Sequence, residues 1–469
     1  MKNGLSRRAL GLAVITLSFI AAGVGQEPAA TPPKEVVAFT PGKAPVIIIP
    51  GITGSELINK NTGKTVWFSR SRDGDDDLRL PVSPNLAANR DSLVVGDILR
   101  GVKFLKFLPE TEIYDQLITN LEKRGGYREA KWDDPGENGH QDTFYVFPYD
   151  WRRDNVETAR LLIRQIEELK AKLGKPDLKF HVVAHSMGGL ITRYAAMYGD
   201  ADLQGGAPVP TWAGAKHFDK VFLLGTPNEG SVQALQTLIE GMSHFGGGIN
   251  LPWVRNINTQ DVFTIPSIYQ LLPHAESFLV YDENLRPLKV DIFDPANWDE
   301  YDWAAWKHKK FEDRFSRVEQ NNARPYFRAA LLRAKRFQAA LDANTTPETP
   351  VAFYLIGSDC KETQNAVLLR RDEKKGRWIT QFDADGFTRS DGQKVTAEEL
   401  KPFIYSMGDD TVTRRSLAAE TIRSNGRENA LPIADELISC AGHRQLVSNT
   451  EIQDRLFTLL GPKAAAAAQ

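Results

Sequence analysis

Cysteine is nearly absent: Cys360 and Cys440 are the only two in 469 residues. Without Cys-x-x-Cys spacing they cannot build a structural zinc site, and they exclude a disulfide-dense scaffold. An excess of charge of either sign is also missing. Lysine and arginine number 58, aspartate and glutamate 60, for a formal net charge of −2. Nothing in that balance suggests nucleic acid, or an anionic membrane, as an electrostatic partner. Beyond the N-terminus there is no apolar run of the roughly 20 residues that a membrane span needs. No internal repeat is found. Histidine is sparse, at eight, which shortens the search for a catalytic base. What remains is ordinary for a globular chain: 42% hydrophobic and 25% charged residues, in a length that allows two or three domains or one large domain with insertions.

The N-terminus has the order of a secretory signal. Lys2, Arg7 and Arg8 precede an apolar stretch over residues 10–22, with small residues around Ala22, Gly23 and Gly25. We expect a signal peptide over 1–25 and a linker over 26–44 rich in proline, alanine and threonine. The protein should then be exported, to the periplasm or the extracellular side, the outer surface included. A single N-terminal anchor is the alternative, although the apolar stretch is short for one.

The stretch around which the chain is organised is Phe180-His181-Val182-Val183-Ala184-His185-Ser186-Met187-Gly188-Gly189-Leu190. An apolar strand runs into a serine, then two glycines, then residues with helical spacing. This is the context of a nucleophile elbow, in which a strained turn exposes the serine hydroxyl. The small neighbours two residues before and after are Ala184 and Gly188, an A-x-S-x-G variant of the usual pattern. The bland alternative is a serine capping a helix.

Around the elbow, strands and helices alternate. Apolar runs at 45–50, 143–147, 180–184 and 218–225 read as buried strands, and residues 111–124 and 155–173 carry apolar positions at helical spacing. Alternation of this kind predicts a mostly parallel, doubly wound α/β sheet. The divisions we expect are a first core segment at 45–230, an inserted cap at 231–350, a second core segment at 351–462 and a disordered tail at 463–469. Residues 58–105 lack a long periodic pattern and read as a lid-like excursion. Residues 377–405 suggest a hairpin. Asp73, Asp75 and Asp77 have calcium-loop spacing, but Leu78 stands where glycine is needed and the closing glutamate is missing. We take them as a solvated acidic loop, not a metal site.

A serine hydroxyl needs a base to accept its proton and a carboxylate to orient that base. In doubly wound hydrolases these follow in the order serine, acid, histidine. Of the histidines after Ser186, only His443 follows a late strand-like run and has a glycine before it. Upstream lies the acidic turn Gly408-Asp409-Asp410-Thr411-Val412. Asp409 is assigned as the orienting carboxylate, with Asp410 as its rival.

These blocks, with Pro50-Gly51-Ile52-Thr53-Gly54-Ser55-Glu56-Leu57, Tyr149-Asp150-Trp151-Arg152 and Ile265-Pro266-Ser267-Ile268-Tyr269-Gln270-Leu271-Leu272-Pro273, resemble the lecithin:cholesterol acyltransferase family in family order. That family includes lysosomal phospholipase A2 and phospholipid:diacylglycerol acyltransferases. The resemblance implies an α/β-hydrolase fold with cap and lid. It also implies a serine acyl hydrolase or acyltransferase acting on lipid esters, phospholipid first among them, without metal or other cofactor. The catalytic residues would be Ser186, Asp409 and His443, with an oxyanion hole from the backbone N–H groups of Ile52 and Met187. The partners would be the lipid ester, an acceptor alcohol and a transient lipid surface. The alternatives are an exported esterase or amidase on non-lipid substrates and a non-catalytic lipid-binding protein.

Three further expectations can be checked against a structure. Asp150 and Arg152 either line the site or brace a strand-end loop. Trp298, Trp303 and Trp306 either face a lipid surface or fill the cap. Cys360 and Cys440 follow two late strands that should be neighbours, which predicts a disulfide in an oxidising compartment; two unpaired buried cysteines are the alternative.

Overall fold

A computed structural model describes residues 42–461, apart from 70–76, 103–110, 113, 204, 243–256, 308–309, 346–349 and 373–374. The expected signal peptide, most of the linker, the tail, and Asp73 and Asp75 of the acidic loop lie outside the described residues.

Seven strands form the central sheet: β1 (Val46–Ile49), β2 (Arg128–Glu129), β3 (Thr143–Val146), β4 (Phe180–His185), β5 (Phe218–Leu224), β6 (Ala352–Gly357) and β7 (Ile433–Ile438). Their order is β7-β6-β5-β4-β1-β3-β2, and every neighbouring pair is parallel. The strand-like runs expected from sequence are therefore the strands of an α/β-hydrolase sheet. Strand β1 shows why: all four residues are buried β-branched side chains, which suits a strand covered on both faces. Ile47 and Ile49 join one core with Val182 and Leu223, whereas Val46 and Ile48 join a second with Val183 and Phe222.

Helices cover the two faces. On one, α1 (Asp115–Lys123) contributes Leu117, Ile118 and Leu121, and the C-terminal α6 (Thr450–Leu460) contributes Ile452 and Leu456. On the other lie α2 (Asn155–Leu173) and α3 (Met187–Tyr198). Helix α2 starts at Asp154, whose carboxylate accepts from Glu157 N–H, and stops at Gly174 in left-handed geometry. Helix α3 is buried along its whole length, because α5 (Arg317–Leu341) lies over it. There Tyr198 and Arg193 donate to the carbonyls of Ala340 and Leu341. After β5, α4 (Val232–Glu240) buries Ala234, Leu235 and Leu238 in the same core as α2 and α3.

The excursion at 58–105 is more regular than its sequence suggested. Ser55–Asn59 pairs with both Thr65–Trp67 and Leu93–Ile98 in a small antiparallel sheet. The window 377–405 holds a short hairpin, Phe387–Thr388 with Lys394–Val395, and a larger hairpin begins ahead of it. In the larger one Ala366–Asp372 pairs with Arg377–Gln381, and the short one is followed by a helix, Ala397–Ile404. The apolar run at 366–369 was buried-strand sequence without an alternating pattern, so the larger hairpin's first strand lay outside the expected window. Leu279–Asp282 adds to this hairpin in parallel, so residues on both sides of position 350 share one sheet.

Trp298 and Trp303 are buried, and their indole N–H groups donate to Ile292 O and Thr380 Oγ1. Of the two readings of the cluster, filling the cap holds for Trp298 and Trp303, which pack on each other, with Trp298 also on Phe327; Trp306 is half-buried. Arg152 is fully buried between Asp150 and Asp91, which is the loop-bracing role. Among the described residues no helix is long and apolar enough to cross a membrane.

Candidate active site

In a parallel sheet all strands end on the same edge, and ligands bind outside the carboxyl ends where strand order reverses. The reversal here is at β1, flanked by β4 and β3. Strand β1 runs out into Gly51-Ile52 and β4 into Ser186. Strand β5 runs into Gly225, β6 toward Cys360, and β7 into Cys440 and His443. Ser186, Ile52 and His443 therefore converge on one edge by topology, and Asp409 reaches it from Tyr405–Gly408, outside the central sheet.

Ser186 has φ 54° and ψ −125°, a region that costs a non-glycine residue of order 1–3 kcal/mol. The turn holds because its neighbours are small. A Cβ on Gly188 would lie 2.6 Å from Pro50 O and 2.7 Å from Ile49 O, and one on Gly189 would overlap Thr226 Oγ1. The backbone of Ser186 is fixed by a hydrogen bond from its N–H to Leu224 O, 2.8 Å.

His443 Nε2 lies 2.9 Å from Ser186 Oγ, and His443 Nδ1 lies 2.8 Å from Asp409 Oδ2. The other Asp409 oxygen accepts from the backbone N–H of Thr411 at 3.0 Å and Val412 at 2.7 Å. The carboxylate is thus clamped before it meets the imidazole, and all three side chains are buried. The imidazole takes Asp409 and not Asp410, whose backbone is at φ 76°. Asp410 accepts from the Thr411 hydroxyl instead, and burial raises its pKa. The His443 loop is tied to the Asp409 loop by His443 N–H to Asp409 O, 2.7 Å.

Ile52 and Met187 are both buried, and neither amide donates a hydrogen bond within the described structure. The Gly51 turn lies directly on the elbow: a Cβ there would come within 2.9 Å of Ser186 Cβ. Tyr149 reinforces this turn through its hydroxyl, which donates to Pro50 O at 2.8 Å. Among the described residues no cluster of three or more His, Cys, Asp or Glu could hold a metal ion.

Cys360 and Cys440 form a disulfide, with Cα atoms 5.4 Å apart. Cys360 immediately precedes Lys361–Gln364, which pairs antiparallel with Tyr405–Gly408, the strand that leads into Asp409. Cys440 lies three residues before His443. The bond therefore fastens the approach to Asp409 to the approach to His443.

Sequence reasoning missed three residues of this neighbourhood. Gly225, φ 58°, sits where a Cβ would lie 3.0 Å from both Asp409 Oδ2 and His443 Cε1. A glycine ending the strand beside the elbow strand was the signal available. Tyr114 and His185 form a buried hydrogen-bonded pair behind the serine; nothing local to either residue marks it.

The sheet, the elbow and the serine–histidine–carboxylate chain define an α/β-hydrolase with a serine-hydrolase type of site. The lecithin:cholesterol acyltransferase family model matches residues 99–430, and the chain belongs to that family, as an enzyme of acyl transfer or acyl-ester hydrolysis. The match includes Ser186 and Asp409 and ends before His443. No curated protein sequence matches significantly. Among solved structures, the chain is similar to one from the Tle4–Tli4 complex, at 14% identity and TM-score 0.49, covering 89% of this chain and 98% of that one. It is similar to the Bacillus licheniformis lipase BlEst2 in mature form, at 12% identity and TM-score 0.34, covering 90% and 93%. The lin2722 product of Listeria innocua follows at 9% identity and TM-score 0.33, covering 91% and 96%.

Proposed function

We propose that the protein transfers acyl groups from lipid esters, with phospholipid as donor, through an acyl-enzyme on Ser186. The observation that carries this reading is the continuous hydrogen-bond chain from Ser186 Oγ through His443 to Asp409, on a serine held at positive φ. His443 Nε2 takes the hydroxyl proton as Oγ bonds to the ester carbonyl carbon. Asp409 holds the ring by Nδ1–H and stabilises the imidazolium. The carbonyl oxygen becomes an oxyanion, met by the Ile52 and Met187 N–H groups, which are fixed before charge develops. The tetrahedral species collapses, the C–O bond to the alcohol breaks, and His443 returns the proton to that alcohol, a lysophospholipid for a phospholipid donor. Water or an acceptor alcohol then attacks the Ser186 ester by the same steps in reverse roles. Water gives a phospholipase and an alcohol gives an acyltransferase. No step calls for a metal or an organic cofactor.

An exported enzyme of this kind would work at a lipid surface, which it meets transiently. The test is a fluorophosphonate probe with peptide mapping, and turnover of phospholipid vesicles and short acyl esters with and without an acceptor alcohol. We expect a single label on Ser186, phospholipid turnover, and loss of activity by a factor on the order of 10⁶ in a folded Ser186→Ala variant. Turnover confined to short soluble esters would move the reading to a non-lipid esterase. Near wild-type activity in Ser186→Ala would end it.

A further inference from the structure

Behind the nucleophile lies a chain of polar contacts that the mechanism above does not use. Tyr114, at the N-terminus of α1, is 2% exposed. Its hydroxyl accepts from Gly51 N–H at 2.8 Å and lies 2.8 Å from His185 Nδ1. His185 Nε2 lies 3.1 Å from His443 O. A carbonyl only accepts, so Nε2 carries a proton. The neutral ring then offers Nδ1 as acceptor, and the Tyr114 hydroxyl donates to it. Burial, and next the neighbouring His443, hold the His185 pKa well below its ordinary value, so the ring stays neutral. The donors thus run in one direction, from Gly51 N–H to Tyr114, from Tyr114 to His185, and from His185 to His443 O.

Each end of this chain lies at, or one residue from, a group proposed to act in the reaction. Gly51 precedes Ile52, the proposed oxyanion donor. His185 precedes Ser186. His443 is the proposed base itself. We propose that Tyr114 and His185 are positioning residues that set the oxyanion turn against the nucleophile and the base loop. The need for such a bridge is geometric. The triad is held from the other side by Asp409 and its two backbone donors, but those bonds do not reach Gly51. An oxyanion donor displaced by a fraction of an ångström loses its bond to the developing charge, which is worth several kcal/mol in a water-excluded site. Tyr114 is the group that joins the loop after β1 to the strand that carries the serine. The pairing also accounts for a histidine in a fully buried strand position.

This inference rests on the acyl-enzyme reading, and the experiment separates the two. Tyr114→Phe, His185→Gln and His185→Leu are assayed on an acyl ester, with kcat expressed per serine titrated by fluorophosphonate, and with thermal midpoints recorded. Tyr114→Phe removes only the hydroxyl. We expect kcat per titrated serine to fall roughly tenfold to hundredfold, less than the roughly hundredfold to thousandfold of a donor removed outright, with KM within about twofold of wild type. Glutamine can donate to His443 O and accept from Tyr114, so His185→Gln should retain at least about fivefold more activity than His185→Leu. A purely structural role would lower the thermal midpoint and the titratable fraction but leave kcat per titrated serine unchanged. That result in Tyr114→Phe, with a wild type that labels and turns over, overturns the bridge and leaves the acyl-enzyme reading intact. If His185→Leu does not fold, Tyr114→Phe alone decides. A wild type that takes no label on Ser186 overturns both.

Discussion

Removing the Cys360–Cys440 bond, by Cys360→Ala with Cys440→Ala, should destabilise the protein strongly and slow it modestly. The bond closes a separation of 80 residues. The chain-entropy relation gives about 15 cal/mol/K for that loop, or about 4.5 kcal/mol at 25 °C. The described span runs from residue 42 to 461. At roughly 2.1 cal/mol/K per residue its unfolding entropy is about 0.9 kcal/mol/K, so the thermal midpoint should fall by about 5 °C. The effect on activity is smaller because three hydrogen bonds still join the two segments: Ser439 N–H to Gly357 O, Ala441 N–H to Ser358 Oγ, and His443 N–H to Asp409 O. Well below the midpoint, kcat should drop only severalfold. Differential scanning calorimetry of wild type and double variant, with alkylation and mass spectrometry of the denatured, unreduced wild type, measures both parts. Two alkylated thiols in the wild type, or a midpoint shift below about 1 °C, would refute the reasoning.

Asp409→Asn should reduce kcat by about 10⁴, as loss of the orienting carboxylate does in such triads. Asp410→Asn, whose partner is the Thr411 hydroxyl, should cost less than about tenfold; the reverse order in steady-state assays would transfer the role to Asp410. Gly225→Ala should lower kcat at least about tenfold and stability by about 1–3 kcal/mol, because its Cβ would crowd Asp409 and His443 at a positive φ; an alanine variant with unchanged melting and turnover would contradict that packing. His185 is held below its ordinary pKa, so below about pH 6.5 the unfolded state binds a proton that the folded state does not, and stability falls as pH falls. Across pH 5 to 6.5 the slope of unfolding free energy against pH should be shallower in His185→Gln than in wild type, by up to about 1.4 kcal/mol per pH unit; equal slopes in denaturant titrations would show that the ring protonates in place.

What the chain states in its own order is local, and the local signals were sufficient for the sheet, the elbow and the acid–base candidates. The run Val46–Ile49 has no polar face, so it had to be a strand covered on both sides. Helix α2 carries its cap, its apolar spacing and its terminal glycine within one stretch. Ser186 is flanked by the small residues its turn requires, whatever the rest of the chain does. Two adjacent carboxylates, by contrast, are equivalent to a reader of sequence. The folded acidic turn, in which two N–H groups clamp Asp409, decides which of them bonds the imidazole. The tryptophan cluster was undecided for the same reason: whether an aromatic ring meets lipid or packing depends on which strands close over it, and Thr380 comes from 77 residues away. Tyr114 and His185 are 71 residues apart, on a helix start and a strand end that no periodicity relates. Their pairing exists because a parallel sheet brings every strand's carboxyl end to one edge, and only the closed sheet brings Gly51, Tyr114, His185 and His443 within hydrogen-bond reach.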